Sequence, residues 1–391
     1  MKSIPSTFGS LLGLTQSACL LGSVLFSLLW SCSTPPEQQY GSAKADSSLS
    51  LAYARGFSVD YYDSQQILSL ISTSDTSRYY LLPANQSVPP ELEGKQLIRT
   101  PVRRVVTLST THLAYLKMLG QADVVVGLEK AAYVYDSTII NRVGSGQIQE
   151  VSSGNTLNTE RVLSLQPDLI LISHMPGGDL SAYQKFINLG VPVLPVAEWT
   201  ESTPLGKAEW LKFFAALVQQ GERANIEFNR TKQAYNDLVQ LTQSVDKHPS
   251  VIVGTPFQGT WYVPGAQSYR NALLQDAGAN WAFSRDSTAV SFPVDLEIMY
   301  DLGLKAEVWL DPGQPTSTQE ILGIDARFAD FSSYQSGKIY NSNRRLNSLG
   351  GGNDYYESGV VYPERILADL IRILQPELLP QHQLYYYQKL P

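Results

Sequence analysis

The chain has 391 residues, 43% of them hydrophobic and 17% charged, which is apolar enough for one or two packed cores and excludes a disordered protein. The formal net charge of -7 argues against the basic surface that nucleic-acid binding requires. Cysteine occurs only at Cys19 and Cys32, so a body downstream of Cys32 folds without disulfides and without a thiol nucleophile.

An apolar run from Leu11 to Trp30 follows a lone Lys2. It is short for a membrane-crossing helix and is interrupted by Gly13, Gln16, Ser17, Gly22 and Ser23, so residues 1–31 read as a secretion signal that is removed. Leu29-Trp30-Ser31-Cys32 resembles the lipobox of bacterial lipoproteins. That resemblance implies a lipid on Cys32, which becomes the new N-terminus, and an anchor in a membrane of the cell envelope. A plain signal peptide cut near Ser31 or Ser33, or a retained membrane helix, is the other reading. Residues 32–48, with Thr34-Pro35-Pro36-Glu37-Gln38-Gln39, are polar and read as a tether.

Residues 49–103 offer short aromatic and β-branched runs, such as Phe57-Ser58-Val59-Asp60-Tyr61-Tyr62 and Tyr79-Tyr80-Leu81-Leu82, broken by Asn85, Pro89, Pro90 and Gly94, and predict strands and turns. From Arg104 the pattern becomes alternating strand and helix: strands at Val105–Leu108, Val124–Gly127, Leu169–Ile172 and Val193–Val196, and helices at Thr111–Leu119, Thr159–Leu165 and Leu180–Leu189. This is a first α/β lobe, 104–205. Residues 206–247 predict helices, the last from Glu222 to about Val245 and about 36 Å long, a strut able to bridge two lobes. Residues 248–391 restart the alternation with strands at Val251–Gly254, Val308–Leu310 and Lys338–Tyr340, and helices at Ser268–Ala277, Asp295–Leu302 and Pro363–Leu374. A weak internal echo links Thr159–Leu171 with Leu296–Leu310, each running acidic residue, short helix, turn, strand.

The order and spacing of four segments resemble the cobalamin and iron-siderophore class of substrate-binding proteins of bacterial ABC importers, in the version found in lipoproteins of the Bacteroidetes type. The segments are Arg104–His112, Asn158–Ile172, Glu198–Trp210 and Gly352–Gly359. The resemblance covers Arg104 to the C-terminus. It implies an α/β fold of two Rossmann-like lobes joined by one long α-helix, here with an N-terminal strand-rich extension. It also implies capture of an iron chelate, a corrinoid or haem in the interlobe cleft, delivery to an ABC permease dimer in the inner membrane, and no cofactor of the protein's own. In this family one glutamate on each lobe docks on the permease; by motif position these are Glu160 and Glu297, which read equally as first-turn carboxylates favoured by the helix dipole.

The residues themselves favour binding over catalysis. His112, His174, His248 and His382 form no pair at metal-ligand spacing, and Gly-x-Ser-x-Gly, P-loop and dinucleotide fingerprints are missing. Gly350-Gly351-Gly352 reads as a flexible turn. Aromatic side chains make up 10% of the chain, and several follow strands at the expected cleft: Tyr133 and Tyr135, Trp199, Trp261 and Tyr262, and Tyr356. Each reads either as a ligand contact or as packing. Arg344 and Arg345 lie in a loop after a second-lobe strand, where a guanidinium could pair with ligand oxygens or stay solvated. His112 opens a helix and reads as a ligand contact or as a satisfied structural histidine. Two competing functions remain: a surface lipoprotein that scavenges haem without a permease, and a chelatase-type enzyme on the same fold with His174 as its metal base.

Overall fold

The structure is a computed structural model that describes residues 45–391 apart from Ser64, Ser74, Asn155 and Leu349. The apolar run, Cys32 and most of the tether lie outside the described residues. Among the described residues no helix is long and apolar enough to cross a membrane.

Strands buried on both faces read as unbroken apolar runs, and the first lobe is built on such runs. Its five-stranded sheet runs, in spatial order, Val193–Val196, Leu169–Ser173, Val105–Thr107, Val125–Leu128 and Gln149–Glu150, with every pair parallel. Numbered along the chain this is order 3-2-1-4-5, the doubly wound arrangement, whose direction reverses between Val105–Thr107 and Leu169–Ser173. The second lobe repeats the principle with Asn280–Trp281, Ser250–Val253, Val308–Leu310, Ile339–Asn341 and an antiparallel edge, Gln388–Lys389. Its reversal lies between Ser250–Val253 and Val308–Leu310. A small antiparallel sheet of Pro256–Phe257, Thr260–Val263 and Phe292–Val294 accompanies it.

The chain passes from one lobe to the other along the helix Gly221–Thr242, whose 22 residues extend about 33 Å. Its buried positions Ala224, Phe228, Thr231 and Tyr235 follow helical spacing, and it packs on the helices Leu211–Val218 and Pro363–Leu374. Ile226 of the same helix is 61% exposed. Ahead of it lie two helices, Pro204–Glu209 and Leu211–Val218, meeting at the buried Trp210.

The strand-rich extension is a five-stranded sheet, Ser47–Ser48, Phe57–Tyr62, Gln65–Ile71, Thr76–Pro83 and Leu97–Thr100. Ser47–Ser48 was expected in the tether; instead it pairs with Tyr61 and Asp60. Period-2 alternation sends Phe57, Val59, Leu68, Leu70, Tyr79 and Leu81 into one continuous core with the first lobe, where Phe57 meets Trp210 and Phe213 at ring-centroid distances of 5.0 and 5.6 Å. Two buried carboxylates rivet the joint. Glu209 accepts the backbone N–H groups of Ala52, Tyr53 and Ala54 at 2.7–3.1 Å, together with Lys212 Nζ at 2.8 Å. Glu201 accepts those of Arg55 and Gly56 and the indole N–H of Trp210, all at 2.9 Å. A carboxylate in so dry a place is tolerable only when donors surround it, and here five main-chain donors do.

Candidate ligand-binding site

In doubly wound sheets the crevice at a reversal point opens at the carboxyl ends of the strands. Both reversals contribute to one cleft between the lobes: Thr110 and Met175 follow the first lobe's two central strands, and Gly254 and Asp311 follow the second lobe's. The cleft has a volume of about 1020 Å³, and a smaller cavity of about 310 Å³ shares Trp199, Tyr269 and Tyr356 with it.

Four sequence-predicted aromatics come together in the cleft lining: Tyr133 and Trp199 from the first lobe, Tyr262 and Tyr356 from the second, with exposures of 45, 47, 52 and 57%. Large rings left this open to water supply flat apolar contact at little entropic cost. Tyr262 is there because of strand alternation. In Thr260–Val263, Trp261 and Val263 point inward and Tyr262 outward, so Trp261 is fully buried, stacks on Trp309 at 6.2 Å and donates its indole N–H to Val253 O at 2.9 Å. Its place among the ligand contacts is therefore corrected to core.

Geometry places five other sequence-predicted residues, His112, Tyr135, Arg344, Arg345 and His174, outside the cleft lining. His112 is fully buried, with Nδ1 at 2.8 Å from Thr107 Oγ1 and its ring 5.7 Å from Phe214; burial pulls its imidazole down to about 3, so it stays neutral and out of the cleft. Tyr135 and Arg345 line a different interlobe cavity of about 520 Å³, where Arg345 lies 4.7 Å from the Tyr135 ring, 4.2 Å from the Tyr385 ring and 2.6 Å from Asp354. Arg344 is exposed and lies outside the lining of either cavity. His174 is also off the cleft lining, its Nδ1 3.0 Å from Met175 O, whereas Met175 faces the cleft. Among the described residues no cluster of histidine, cysteine and acidic side chains has the geometry to hold a metal ion.

The triple glycine is a contact surface rather than a flexible turn. A Cβ on Gly350 would overlap Ala132, and one on Gly352 would overlap the Tyr133 carbonyl; Gly352 N–H donates to Ala132 O at 3.1 Å and Asn347 Nδ2 to Val134 O at 2.5 Å. The second lobe's loop thus lies directly on the first lobe's 131–134 segment. Glu357 adds a bond across the same junction, accepting the N–H groups of Tyr135 and Asp136 at 2.6 and 3.0 Å.

Sequence reasoning missed the polar floor. Arg270, the second residue of the helix Tyr269–Asp276, is paired with Asp311 and donates to Tyr355 Oη at 3.2 Å; Asp311 also accepts Tyr387 Oη–H at 2.8 Å. Asp311 holds a left-handed backbone, φ 50°, unusual for a residue with a side chain. Its position immediately after the central strand Val308–Leu310 was the available signal. Nearby, Lys207 Nζ stands 3.8 Å from the Tyr269 ring centroid, and the buried Glu198, whose carboxyl burial holds above its ordinary range, accepts Thr111 Oγ1–H at 2.7 Å.

Glu160 and Glu297 each occupy the second position of a helix, Thr159–Ser164 and Leu296–Gly303, behind the capping side chains of Asn158 and Asp295. Both carboxylates are exposed. Each helix runs back toward the next parallel strand, so its first turn lies at the carboxyl edge of its own sheet, the edge that borders the cleft.

Comparison with known proteins agrees with this architecture. The chain is 22% identical over 364 residues to an uncharacterized lipoprotein of Methanocaldococcus jannaschii, covering 87% of this chain and 85% of that one. It is 26% identical over 147 residues to a vitamin B12-binding protein of Vibrio parahaemolyticus, covering 37% of this chain and half of the relative. A solved structure described as a possible iron-binding, periplasmic solute-binding protein of Staphylococcus epidermidis superposes with a TM-score of 0.54 at 18% identity, covering 70% of this chain and 99% of that one. The family model for periplasmic binding proteins matches residues 105–344, which take in the first lobe, the connecting helix and most of the second lobe. A match of that extent makes this chain a member of the periplasmic binding protein family, built to hold a solute rather than to transform one.

Proposed function

We propose that the protein is the receptor of an ABC importer that binds a bulky metal complex, an iron chelate, haem or a corrinoid, between its lobes and passes it unchanged to a permease dimer. The observation that carries this reading is the cleft of about 1020 Å³ floored by the ends of both sheets and walled by Tyr133, Trp199, Tyr262 and Tyr356. Its size suits a guest far larger than an amino acid or a single sugar, and flat rings suit a flat or ring-shaped guest. The iron-binding description of one structural neighbour and the vitamin B12-binding name of one relative point the same way. Titration of the chain without its N-terminal apolar segment, followed by tryptophan fluorescence and visible absorbance, should saturate with at least one of haemin, cyanocobalamin and a set of ferric chelates. If every one of them fails to bind, the reading is lost.

Glu160 and Glu297, one per lobe and both exposed, are the proposed contacts to the permease subunits. The double variant Glu160→Ala, Glu297→Ala should abolish uptake in cells and leave the titration unchanged. Undiminished uptake would remove the docking assignment. Lipidation at Cys32 belongs to the same proposal, supported by the lipobox-like Leu29–Cys32 and by the relative described as a lipoprotein.

A further inference from the structure

The first-lobe wall of the cleft is held from behind by a part of the chain that the family match leaves out. That match begins at residue 105, whereas the last strand of the N-terminal sheet ends at Thr100. Six first-lobe residues line the cleft: Thr110, Tyr133, Met175, Trp199, Thr200 and Glu201. Four of them, Met175 and Trp199 to Glu201, sit in two segments that the N-terminal sheet touches. Neither segment has much regular structure of its own. Trp199 and Thr200 belong to the short 3-10 turn Glu198–Thr200, and Met175 lies in the loop after the strand Leu169–Ser173.

At the first segment Glu201 borders the cleft yet is only 6% exposed, and its Oε1 accepts the N–H groups of Arg55 and Gly56 and the indole N–H of Trp210. Without residues 55 and 56 the carboxylate would have to recover donors from cleft water, drawing Thr200 and Trp199 with it. The fit is close. A Cβ on Gly56 would stand 2.8 Å from the Trp210 ring and 3.2 Å from Glu201 Oε1, and Trp210 has no room to yield, being fully buried with Phe57 and Phe213 each 5.0 Å away between ring centroids. At the second segment the turn between the strands Gln65–Ile71 and Thr76–Pro83, closed by Ser72 N–H donating to Asp75 O at 2.9 Å, lies on the loop that carries Met175. A Cβ on Gly177 would overlap the Asp75 carboxylate.

We propose, on the reading that this cleft holds the guest, that the N-terminal sheet is a working part of the binding site: Gly56, Glu201 and Asp75 are positioning residues that fix Trp199 and Met175 in the cleft wall before a guest arrives. The test compares two variants that lie outside the cleft lining. Gly56→Ala wedges a methyl group between the sheet and the Glu201–Trp210 pair. Leu82→Ala hollows the small core that Leu82 forms with Tyr80 and Leu92, and so weakens the sheet without touching either segment. Amide hydrogen exchange without a guest is read at Thr200 and Glu201, whose N–H groups donate to Ala197 O and Glu198 O at 3.0 and 3.2 Å. Gly56→Ala should speed exchange there about tenfold or more, leave the second-lobe strand Ser250–Val253 within about twofold, and weaken about tenfold whichever of haemin, cyanocobalamin and a ferric trihydroxamate saturates the wild type. Leu82→Ala should lower the thermal midpoint at least as far, yet leave local exchange and affinity within about threefold. Wild-type exchange and affinity in folded Gly56→Ala overturn the inference, as do equal losses in Leu82→Ala, which would make the sheet a stabiliser and nothing more. Should Gly56→Ala not fold, the exposed change Asp75→Ala decides: exchange at Gly178, whose N–H donates to Met175 O at 3.1 Å, rises about threefold or more, or the inference is lost. If no probe binds the wild type, the proposed function falls and the exchange comparison alone judges the positioning role.

Discussion

The two larger cavities at the junction of the lobes are divided by the short helix Asp354–Glu357, and their contrast explains which residues matter for what. The helix gives Tyr356 to the larger cleft and Asp354 and Glu357 to the smaller cavity. The cleft is walled by exposed aromatics and neutral polar groups. The smaller cavity is walled by Lys117, Arg223, Arg230, Arg345 and Arg365 against Asp136, Glu227, Asp354 and Glu357, and most of these are engaged: Lys117 with Asp136, Arg230 with Glu227, Arg345 with Asp354, and Arg223 with the Met118 carbonyl. One cavity keeps its rings exposed to a guest; the other holds its charges in local pairs, and its Glu357 bonds the second lobe to the first at Tyr135 and Asp136. Neighbours in sequence fall on opposite sides of that division, as Tyr133 and Tyr135 do.

The contrast breaks most visibly at Glu357. Removing this buried carboxylate in Glu357→Ala leaves the N–H groups of Tyr135 and Asp136 without their acceptor, and should cost about 2–4 kcal/mol in denaturant unfolding while ligand affinity of the folded fraction stays within about threefold. A loss of affinity without loss of stability would reverse the roles assigned to the two cavities. The opposite pattern is expected at Trp199, which is 47% exposed in the cleft: Trp199→Ala should weaken binding by about 2 kcal/mol, about thirtyfold, and barely move the unfolding midpoint.

A smaller effect comes from pH. Burial raises Glu357 from 4.5 to about 7 and does the same to Glu364. An acid held above its unfolded value favours the native state when protonated, so this stability is complete below about pH 4.5 and is lost as pH rises through about 7. The thermal midpoint should therefore fall between about pH 6.5 and pH 8, above the range in which the buried His112 opposes the trend and where the depressed carboxylates of Asp325 and Glu209 stay ionised in both states. The variant Glu357→Gln should flatten that slope; a slope of unchanged size would show that Glu357 does not titrate there. Least of all should come from Tyr135→Ala, which removes a ring from Arg345 and should leave ligand affinity within about twofold. A tenfold loss would extend the binding site into the second cavity.

How far these roles could be read from sequence depended on the length scale of the signal. The two-lobed α/β fold and the connecting helix were legible because runs such as Leu169–Ile172 and the spacing of Phe228 and Tyr235 carry strand and helix periods directly. Facing was not. Trp261 and Tyr262 are adjacent and equally aromatic, and only the pairing of Tyr262 with Pro293 in the small sheet decides which one turns outward. The Arg270–Asp311 floor joins residues 41 positions apart, and Glu209 reaches back 155 to 157 positions to Ala52–Ala54; each is a tertiary fact with no local pattern. Glu201 and Glu209 belong to the stretch Glu198–Trp210 that carried the family resemblance, and both anchor the N-terminal sheet. Gly350–Gly352 was visible as a motif, but its reason, the close approach of the 131–134 segment, lies in the other lobe.

The most direct measurement is anomalous diffraction from crystals grown with whichever metal complex binds tightest, locating the metal itself. The expected peak lies between the lobes, among Trp199, Tyr262 and Tyr356 and above the Arg270–Asp311 pair. A peak beside Arg345 and Glu357, or on the outer surface, would contradict it.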